Sequence, residues 1–284
     1  MSPKLLHVAL VAVLALISCH RSDPKTERMV DGPAGGLYVR DTLAGSVPVV
    51  FVHAFAGSGA DWSKQVEHLR ATHRVITIDL RGHGKSAAPA DNDYRVESLA
   101  ADIAAAVDAL DLDQFVLVGH SMGGSAAAEY VRQHPERVSA LMLVGTPGKS
   151  PPQMAQQVMT ALRGNFTVVS EGYWDRMLAN ADRKVERHLR KEMREMPKDR
   201  ALAIIGAVFA YDPLPALRAY RGPILLVDTT ASDGPGSLHA QARQIPRIVI
   251  EGTSHWPHLD KPEYFNGILD GFLQTARARN LSAE

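Results

Sequence analysis

The stretch FVLVGHSMGGSAAAEYV, residues 115–131, contains the pattern that decides the fold of this chain. It begins with an apolar run, residues 115–118, that is short enough to be one buried strand. The part that follows Gly123 is rich in small residues, which predicts a helix. Between the two lies a turn in which Gly119 and Gly123 permit close backbone packing, so that Ser121 is turned outward. The stretch therefore predicts a strand, a tight turn that presents a serine hydroxyl, and a helix.

Strand-like and helix-like segments alternate along much of the chain. Apolar runs of strand length lie at residues 47–53, 74–80, 115–119, 140–146, 224–228 and 247–251. Between them, apolar side chains recur at spacings of three and four, as in residues 96–110, which is typical of one helix face. This alternation predicts an α/β protein with a mostly parallel sheet that is flanked by helices. Residues 37–43, before the first run, are expected to form an antiparallel edge strand.

The alternation stops between residues 146 and 221. Helical patterns dominate there, and they lie at residues 153–163, 167–180, 183–195 and 198–210. The sequence thus predicts a helical insertion over residues 148–220, between two parts of one sheet domain, 35–147 and 221–284. The methionines and aromatic residues of this insertion predict its own core, with an adaptable apolar pocket as the alternative for a few of them. The charged residues of the third helix predict a solvated face.

The composition of the chain excludes several classes of function. Its 284 residues suffice for one large domain or a domain with an insertion, and the formal net charge is zero. A nucleic-acid partner is not expected, because the basic patch that such proteins carry is missing. The spacing of histidines and acids indicates no metal site, the single cysteine offers no zinc site, and no phosphate loop is present. We therefore expect no cofactor and no metal.

The first residues have the pattern of an export signal. Lys4 precedes an apolar run, residues 5–17, which is interrupted only by His7 and is too short to span a bilayer as a helix. A positive start, an apolar centre and small residues after it predict a signal peptide, residues 1–18. The only cysteine of the chain, Cys19, follows directly.

The residues before Cys19 resemble the bacterial lipobox. The resemblance implies that the signal is cut before Cys19, that this cysteine is acylated, and that the lipid anchors the protein to a membrane. His20, rather than an aspartate, implies the outer membrane of the bacterial cell envelope. Residues 19–34 are then a lipidated, polar tether. The alternative is a plain secretory signal with an incidental cysteine.

The chain resembles the serine hydrolases of the α/β-hydrolase fold. Four motifs carry the resemblance, and they are HAFAGSG at residues 53–59, DLRGHGKS at 79–86, GHSMG at 119–123 and SHWPHLDKPE at 254–263. The match covers about residues 35–147 and 221–276. It implies a helical cap at the insertion and an esterase-like enzyme that cleaves an acyl bond of a small, apolar substrate through an acyl-serine intermediate.

A serine hydroxyl is a weak nucleophile until a base takes its proton, and a histidine held by a carboxylate is such a base at neutral pH. Ser121 occupies the nucleophile position of the GxSxG motif. The resemblance implies that His255 is the base, because the histidine of the family precedes the Trp-Pro pair that is found here at residues 256–257. His258, three residues further on, is the alternative.

The acid of the triad has two candidates. It should lie just beyond the apolar run 224–227, where the family commonly has a glycine and then an aspartate. That glycine is absent here. Asp228 is on the strand or at its end, whereas Asp233 lies in the following loop, from which a carboxylate can reach a histidine. We therefore predict Asp233.

The oxyanion hole needs two backbone N–H groups at the point where negative charge develops. One comes from the residue after the nucleophile, Met122. Phe55 matches the position of the other in the family, although the usual His-Gly pair is His53-Ala54 here. His53 is predicted to pack the loop, and His83 and His120 are predicted to be structural.

Several functions use the same scaffold. Dehalogenases and epoxide hydrolases carry an aspartate at the position of Ser121, which argues against both. Carbon–carbon bond hydrolases, lactonases and perhydrolases keep the serine and remain alternatives to an esterase. A surface lipoprotein that binds a ligand without catalysis is the alternative outside the enzymes. The sequence predicts no oligomeric state.

Overall fold

The computed structural model of the chain describes residues 26–232, 234 and 236–281, and one eight-stranded sheet lies at its centre. The strands are β1 (Glu27–Gly32), β2 (Gly35–Asp41), β3 (Ser46–Val52), β4 (His73–Ile78), β5 (Phe115–His120), β6 (Val138–Val144), β7 (Ile224–Asp228) and β8 (Arg247–Val249). Their order in the sheet is β1-β2-β4-β3-β5-β6-β7-β8. Strands β3 to β8 run parallel to one another, while β1 pairs antiparallel with β2 and β2 with β4.

Eleven α-helices surround the sheet in the described part of the chain. They are α1 (Ser63–Leu69), α2 (Val96–Ala109), α3 (Met122–Gln133), α4 (Pro152–Gly164), α5 (Phe166–Met177), α6 (Arg183–Glu195), α7 (Lys198–Ala210), α8 (Leu214–Ala219), α9 (Leu238–Gln241), α10 (Pro257–Asp260) and α11 (Pro262–Leu281). Successive side chains of β3 enter different cores, because they alternate between the two faces of the sheet. Val50 and Val52 pack with α2 and α3. Val49 and Phe51 pack with α1 and α11. The predicted parallel sheet with helices on both faces is confirmed.

Strand β1 corrects the expectation that residues 19–34 form only a tether. All six residues of β1 pair with β2, from Glu27 opposite Arg40 to Gly32 opposite Gly35. An edge strand needs few buried side chains, and here Val30 packs against the core while Met29 is exposed. This sparse pattern gives no apolar run in the sequence. As a result β2 lies inside the sheet and is not its edge.

Five helices, α4 to α8, lie between β6 and β7, and we refer to them as the inserted helices. The predicted helix 183–195 is α6, with the same bounds. Its start is well defined, because the side chain of Asp182 accepts a hydrogen bond of 2.8 Å from the backbone N–H of Lys184. The sequence did not predict α8. Pro215 hides its helical pattern, although a proline in the first turn of a helix is tolerated.

The predicted signal peptide, residues 1–18, and Cys19 lie outside the described residues. None of the helices in the described part combines the length and the apolar character that crossing a bilayer requires.

Candidate active site

The turn between β5 and α3 holds Ser121 in a conformation that side chains rarely adopt. Its backbone has φ 51° and ψ −113°. Such a conformation costs about 1–3 kcal/mol, so the surrounding structure must hold it in place. Two hydrogen bonds flank it, since the N–H of Ser121 donates to Val144 at 2.8 Å and its carbonyl accepts from Gly124 at 2.9 Å. The turn therefore presents the serine side chain at the carboxyl end of β5, as the motif predicted.

The glycines around Ser121 are sites of close backbone approach. A methyl group on Gly123 would lie 2.4 Å from the carbonyl oxygen of His53, and one on Gly119 would lie 2.5 Å from that of Gly123. One on Gly124 would meet the Thr146 hydroxyl oxygen at 1.8 Å. The start of α3 thus lies directly against the loop that follows β3.

We expect Gly123→Ala to lower the free energy of unfolding by about 1–3 kcal/mol, because the clash is with backbone that cannot move aside. Gly172→Ala is the matched control. It lies in α5, and nothing is within 4 Å of its added methyl group. The control is expected to gain roughly 0.5–1 kcal/mol, since alanine favours helix more than glycine does. Urea denaturation measures both, and equal stabilities of the two variants would contradict this account of the turn.

His255 lies beside the serine turn. The ring of His120, the residue before Ser121, is 4.9 Å from the His255 ring, and its Nε2 donates to the backbone oxygen of His255 at 2.9 Å. A methyl group on Gly145 would lie 3.1 Å from the His255 Nδ1. Neither ring nitrogen of His255 has a hydrogen-bond partner among the described residues. Burial lowers the pKa of His255 to about 4, so its imidazole is neutral at pH 7 and can accept a proton.

His258, the alternative base, is a core residue. It is fully buried, and its ring stacks on that of Trp62 at a centroid distance of 4.1 Å. The Phe265 ring lies 5.7 Å away on the other flank. This environment favours a packing role for His258, although its ring lies 5.0 Å from that of His120, about as near as the His255 ring.

The two candidate acids differ in what the structure shows of them. Asp233 lies outside the described residues. Its neighbour Ser232 lies near His255, because a methyl group on Gly145 would be 3.3 Å from the Ser232 hydroxyl oxygen and 3.1 Å from the His255 Nδ1. Asp228 is buried at the end of β7, where its carboxylate accepts a 2.7 Å hydrogen bond from the Arg247 Nε. An ion pair within the sheet therefore engages Asp228.

The two predicted oxyanion donors lie on neighbouring segments. Met122 is the first residue of α3, and the first N–H groups of a helix have no partner within the helix. Phe55 lies in the loop after β3, whose residue His53 touches Gly123 of the same turn. The residue after Phe55, Ala56, has φ 60°, which shows how tightly this loop turns. The placement is compatible with two N–H groups that point to one oxygen.

Two other motif histidines, His53 and His83, make hydrogen bonds to the backbone, which is in keeping with the structural role predicted for them. The His53 Nδ1 donates to the Ala54 carbonyl at 2.7 Å, and its Nε2 accepts from the Leu80 N–H at 3.0 Å. His83 is buried and bonds the Arg81 carbonyl. Both rings are therefore held by the backbone.

An apolar cluster joins the inserted helices to Phe55 and to Trp256, whose ring lies 5.7 Å from that of His120. Trp174, Leu178, Leu189 and Trp256 form it, and Phe55 packs against it. The Phe55 and Trp174 rings are parallel within 5°, with centroids 5.7 Å apart. Trp174 also lines a cavity of about 170 Å³ between α5 and α6, together with Phe166, Met193 and Met196. Two methionines of the insertion, Met193 and Met196, thus line a cavity, while Met159 is buried in the inserted helices.

The structure brings together one group that the sequence interpretation missed. The carboxylate of Asp61 lies 3.1 Å from the His188 Nε2, and Glu192 lies on the same side of α6. The sequence assigned this helix to solvent and indicated no cluster of histidines and acids. The four-residue spacing of His188 and Glu192 places them on one face of a helix and could have been recognised in the sequence. No feature of the sequence indicates that Asp61 joins them.

A scan against protein families finds one whose model matches residues 47–203, and it is described as alpha/beta hydrolase fold. The match spans more than half of the chain. It includes the serine turn, the loop after β3 and the first inserted helices.

Known proteins resemble the chain over most of its length. A protein of Caulobacter vibrioides that is assigned as a carbamate hydrolase, RutD, is 27% identical over 268 residues, which cover 88% of this chain and 99% of the relative. The structure of Est816, described as an N-acyl homoserine lactone degrading enzyme, superposes with a TM-score of 0.77 at 25% identity and covers 86% of this chain and 100% of its own. A thermophilic esterase from Thermogutta terrifontis superposes with a TM-score of 0.75, also at 25% identity, and covers 88% and 98%.

Proposed function

Because the chain belongs to the alpha/beta hydrolase fold family and is an enzyme of that family, we propose that it is a serine hydrolase that cleaves an ester or a related acyl bond. The observation that carries the proposal is the strained turn at Ser121, with φ 51°, beside the buried and neutral His255. Strain of this kind persists where the surrounding structure enforces it, and it is common at catalytic positions.

In the proposed reaction Ser121 Oγ attacks the carbonyl carbon of the substrate while His255 takes the hydroxyl proton. The electron pair of the carbonyl moves to its oxygen. The N–H groups of Met122 and Phe55 then stabilise that oxyanion, and each such donor contributes about 3 kcal/mol to lowering the barrier.

The tetrahedral intermediate collapses when its bond to the leaving group breaks and His255 gives its proton to the departing alcohol. This leaves an acyl-serine. A water molecule, deprotonated by the same histidine, attacks the acyl carbon. The bond from that carbon to Ser121 Oγ then breaks, and His255 returns the proton to Oγ, which releases the acid and the free serine hydroxyl. Asp233 is proposed to hold the imidazole in the required tautomer.

A small, apolar acyl or alcohol group fits the proposed site best. The side chains near the serine turn include aromatic ones, since Phe55 and Trp174 stack, and Trp256 lies beside Trp174 and 5.7 Å from the His120 ring. Three of the relatives that cover most of the chain are named for a carbamate, a lactone or an ester, and all three of these bonds contain an acyl carbon. This supports acyl transfer as the reaction class.

A substrate panel tests the proposal. The purified full chain is assayed on p-nitrophenyl esters from acetate to decanoate, on an N-acyl homoserine lactone and on a carbon–carbon substrate with a cleavable 1,5-dione. We expect saturable hydrolysis of short and medium esters. Cleavage of the dione without ester hydrolysis would indicate a carbon–carbon bond hydrolase, and lactone opening alone would indicate a lactonase.

The two candidate acids give opposite expected results. Asp233→Asn should lower kcat by roughly 10³- to 10⁴-fold with little change in stability, because the tautomer of His255 is no longer fixed. Asp228→Asn should keep kcat within about tenfold but lower the midpoint of urea denaturation, since it weakens the buried pair with Arg247. Ester kinetics and urea denaturation of both variants measure this. A larger loss of kcat in Asp228→Asn would overturn the choice of Asp233.

A further inference from the structure

Three side chains that the proposed reaction does not use meet at the junction of α6 and the sheet domain. Asp61 belongs to the 3-10 helix Gly59–Trp62, and His188 and Glu192 are one turn apart on α6. One oxygen or nitrogen atom from each of the three lies within 4.8 Å of the others. Carboxylate oxygens and imidazole nitrogens are common ligands of divalent transition metals in proteins.

The two distances from His188 suit a tetrahedral ion. Two ligands that are each about 2.1 Å from a tetrahedral zinc ion lie roughly 3.4 Å apart. The His188 Nε2 is 3.1 Å from the Asp61 Oδ1 and 3.6 Å from the Glu192 Oε2. We propose that Asp61, His188 and Glu192 form a binding site for a divalent transition-metal ion, with zinc as the best fit. This site is separate from the proposed acyl-transfer chemistry and does not depend on it.

The charges and hydrogen bonds of the three residues leave room for a cation. Asp61 is almost fully buried, and its other oxygen, Oδ2, accepts from the Ser58 N–H, so Oδ1 faces the cluster. The Glu192 Oε2 is shielded from solvent and has no hydrogen-bond partner among the described residues.

The site is also accessible. The His188 side chain is 46% exposed, whereas that of Asp61 is only 2% exposed. An ion can therefore enter from the solvent side, and a water molecule can complete a four-ligand shell. The ligand set is therefore partly preformed, because a backbone hydrogen bond fixes the buried Asp61 carboxylate and because His188 and Glu192 lie on the same helix.

A bound ion would join the inserted helices to the loop that carries Phe55. Asp61 lies six residues after Phe55, and its carboxylate lies against Gly57 of that loop. The ion would thus hold α6 against that loop. Its expected effect is to stabilise the packing of α6 on the sheet domain, which a melting temperature reports independently of catalysis.

The test titrates zinc chloride into the full chain, treated with EDTA and dialysed, and follows binding by calorimetry and the Tm by differential scanning fluorimetry. We expect one saturable site and a rise in Tm. His188→Gln and Glu192→Gln should each weaken binding at this site at least about tenfold and remove the rise in Tm. Both positions are partly exposed in helix α6, so the variants should fold, and Asp61 is left intact because it also caps its 3-10 helix.

The matched control is His68→Gln. His68 contacts Asp270 at 2.9 Å on the surface, so it forms a histidine–carboxylate pair on other elements of the fold. The control should bind zinc like the wild type. Absence of saturable binding by the wild type would overturn the proposal. So would binding that His188→Gln and Glu192→Gln leave unchanged, or that only His68→Gln weakens.

Discussion

Ser121→Ala is expected to reduce kcat for ester hydrolysis by roughly 10⁵- to 10⁶-fold, because it removes the only atom that forms the acyl bond in the proposed reaction. Some rate above that of water should remain, since the oxyanion donors and the side chains near the turn are unchanged. Steady-state kinetics on a p-nitrophenyl ester measure the loss. The urea midpoint should stay close to that of the wild type, because alanine keeps the same backbone strain.

Ser121→Gly is the matched control for this variant. It should be as inactive as Ser121→Ala, yet more stable by about 1 kcal/mol, because glycine adopts the positive φ of this turn without strain. Retention of ester hydrolysis in either variant would show that another nucleophile acts.

His255→Gln is expected to lose nearly as much activity as Ser121→Ala. The members of a triad act as a unit, so removal of the base leaves the serine hydroxyl protonated and weakly nucleophilic. His258→Gln is the matched control. It should retain kcat within about tenfold and lose stability, because His258 fills the core against Trp62. The same kinetic assay and urea denaturation measure kcat and stability of both variants. A lower kcat in His258→Gln than in His255→Gln would assign the base to His258.

The pH dependence follows from the burial of His255. Its pKa is lowered from 6.5 to about 4, so kcat/KM should stay level above pH 6.5 and fall as the pH approaches 4. The native state binds fewer protons at this residue than the unfolded chain does. Its contribution to the free energy of unfolding is therefore complete above pH 6.5 and is lost as the pH falls towards 4.

The parts of the fold that the sequence predicts are those with a strong local pattern. Strand β5 and the turn at Ser121 combine an apolar run with two glycines, and α6 has an aspartate cap and a long charged repeat. Strand β1 was missed because a single partly buried apolar side chain, Val30, is enough for an edge strand. Its place in the sheet depends on backbone pairing with β2, which leaves no mark on side-chain periodicity.

The candidate site also has parts that local motifs predict and parts that depend on contacts between distant segments. The sequence motifs predicted the roles of Ser121, Met122 and His255, because each of these residues stands at a fixed distance from a glycine or a Trp-Pro pair. The sequence placed Asp233 in the loop after the strand and so favoured it as the acid, but the buried pair of Asp228 with Arg247 could not be predicted, because its two members are 19 residues apart. The cluster of Asp61 and His188 joins segments 127 residues apart, and only the packed structure brings them together.

The central claim is that Ser121 is the nucleophile, and covalent labelling tests it most directly. The full chain is incubated with a fluorophosphonate, from which a serine nucleophile displaces fluoride, and the modified peptide is located by tandem mass spectrometry. The account predicts one phosphonyl group per chain, on Ser121, with loss of ester hydrolysis in proportion to labelling and no labelling of Ser121→Ala. A modification that maps to another residue, or full activity in a sample labelled at Ser121, would contradict it.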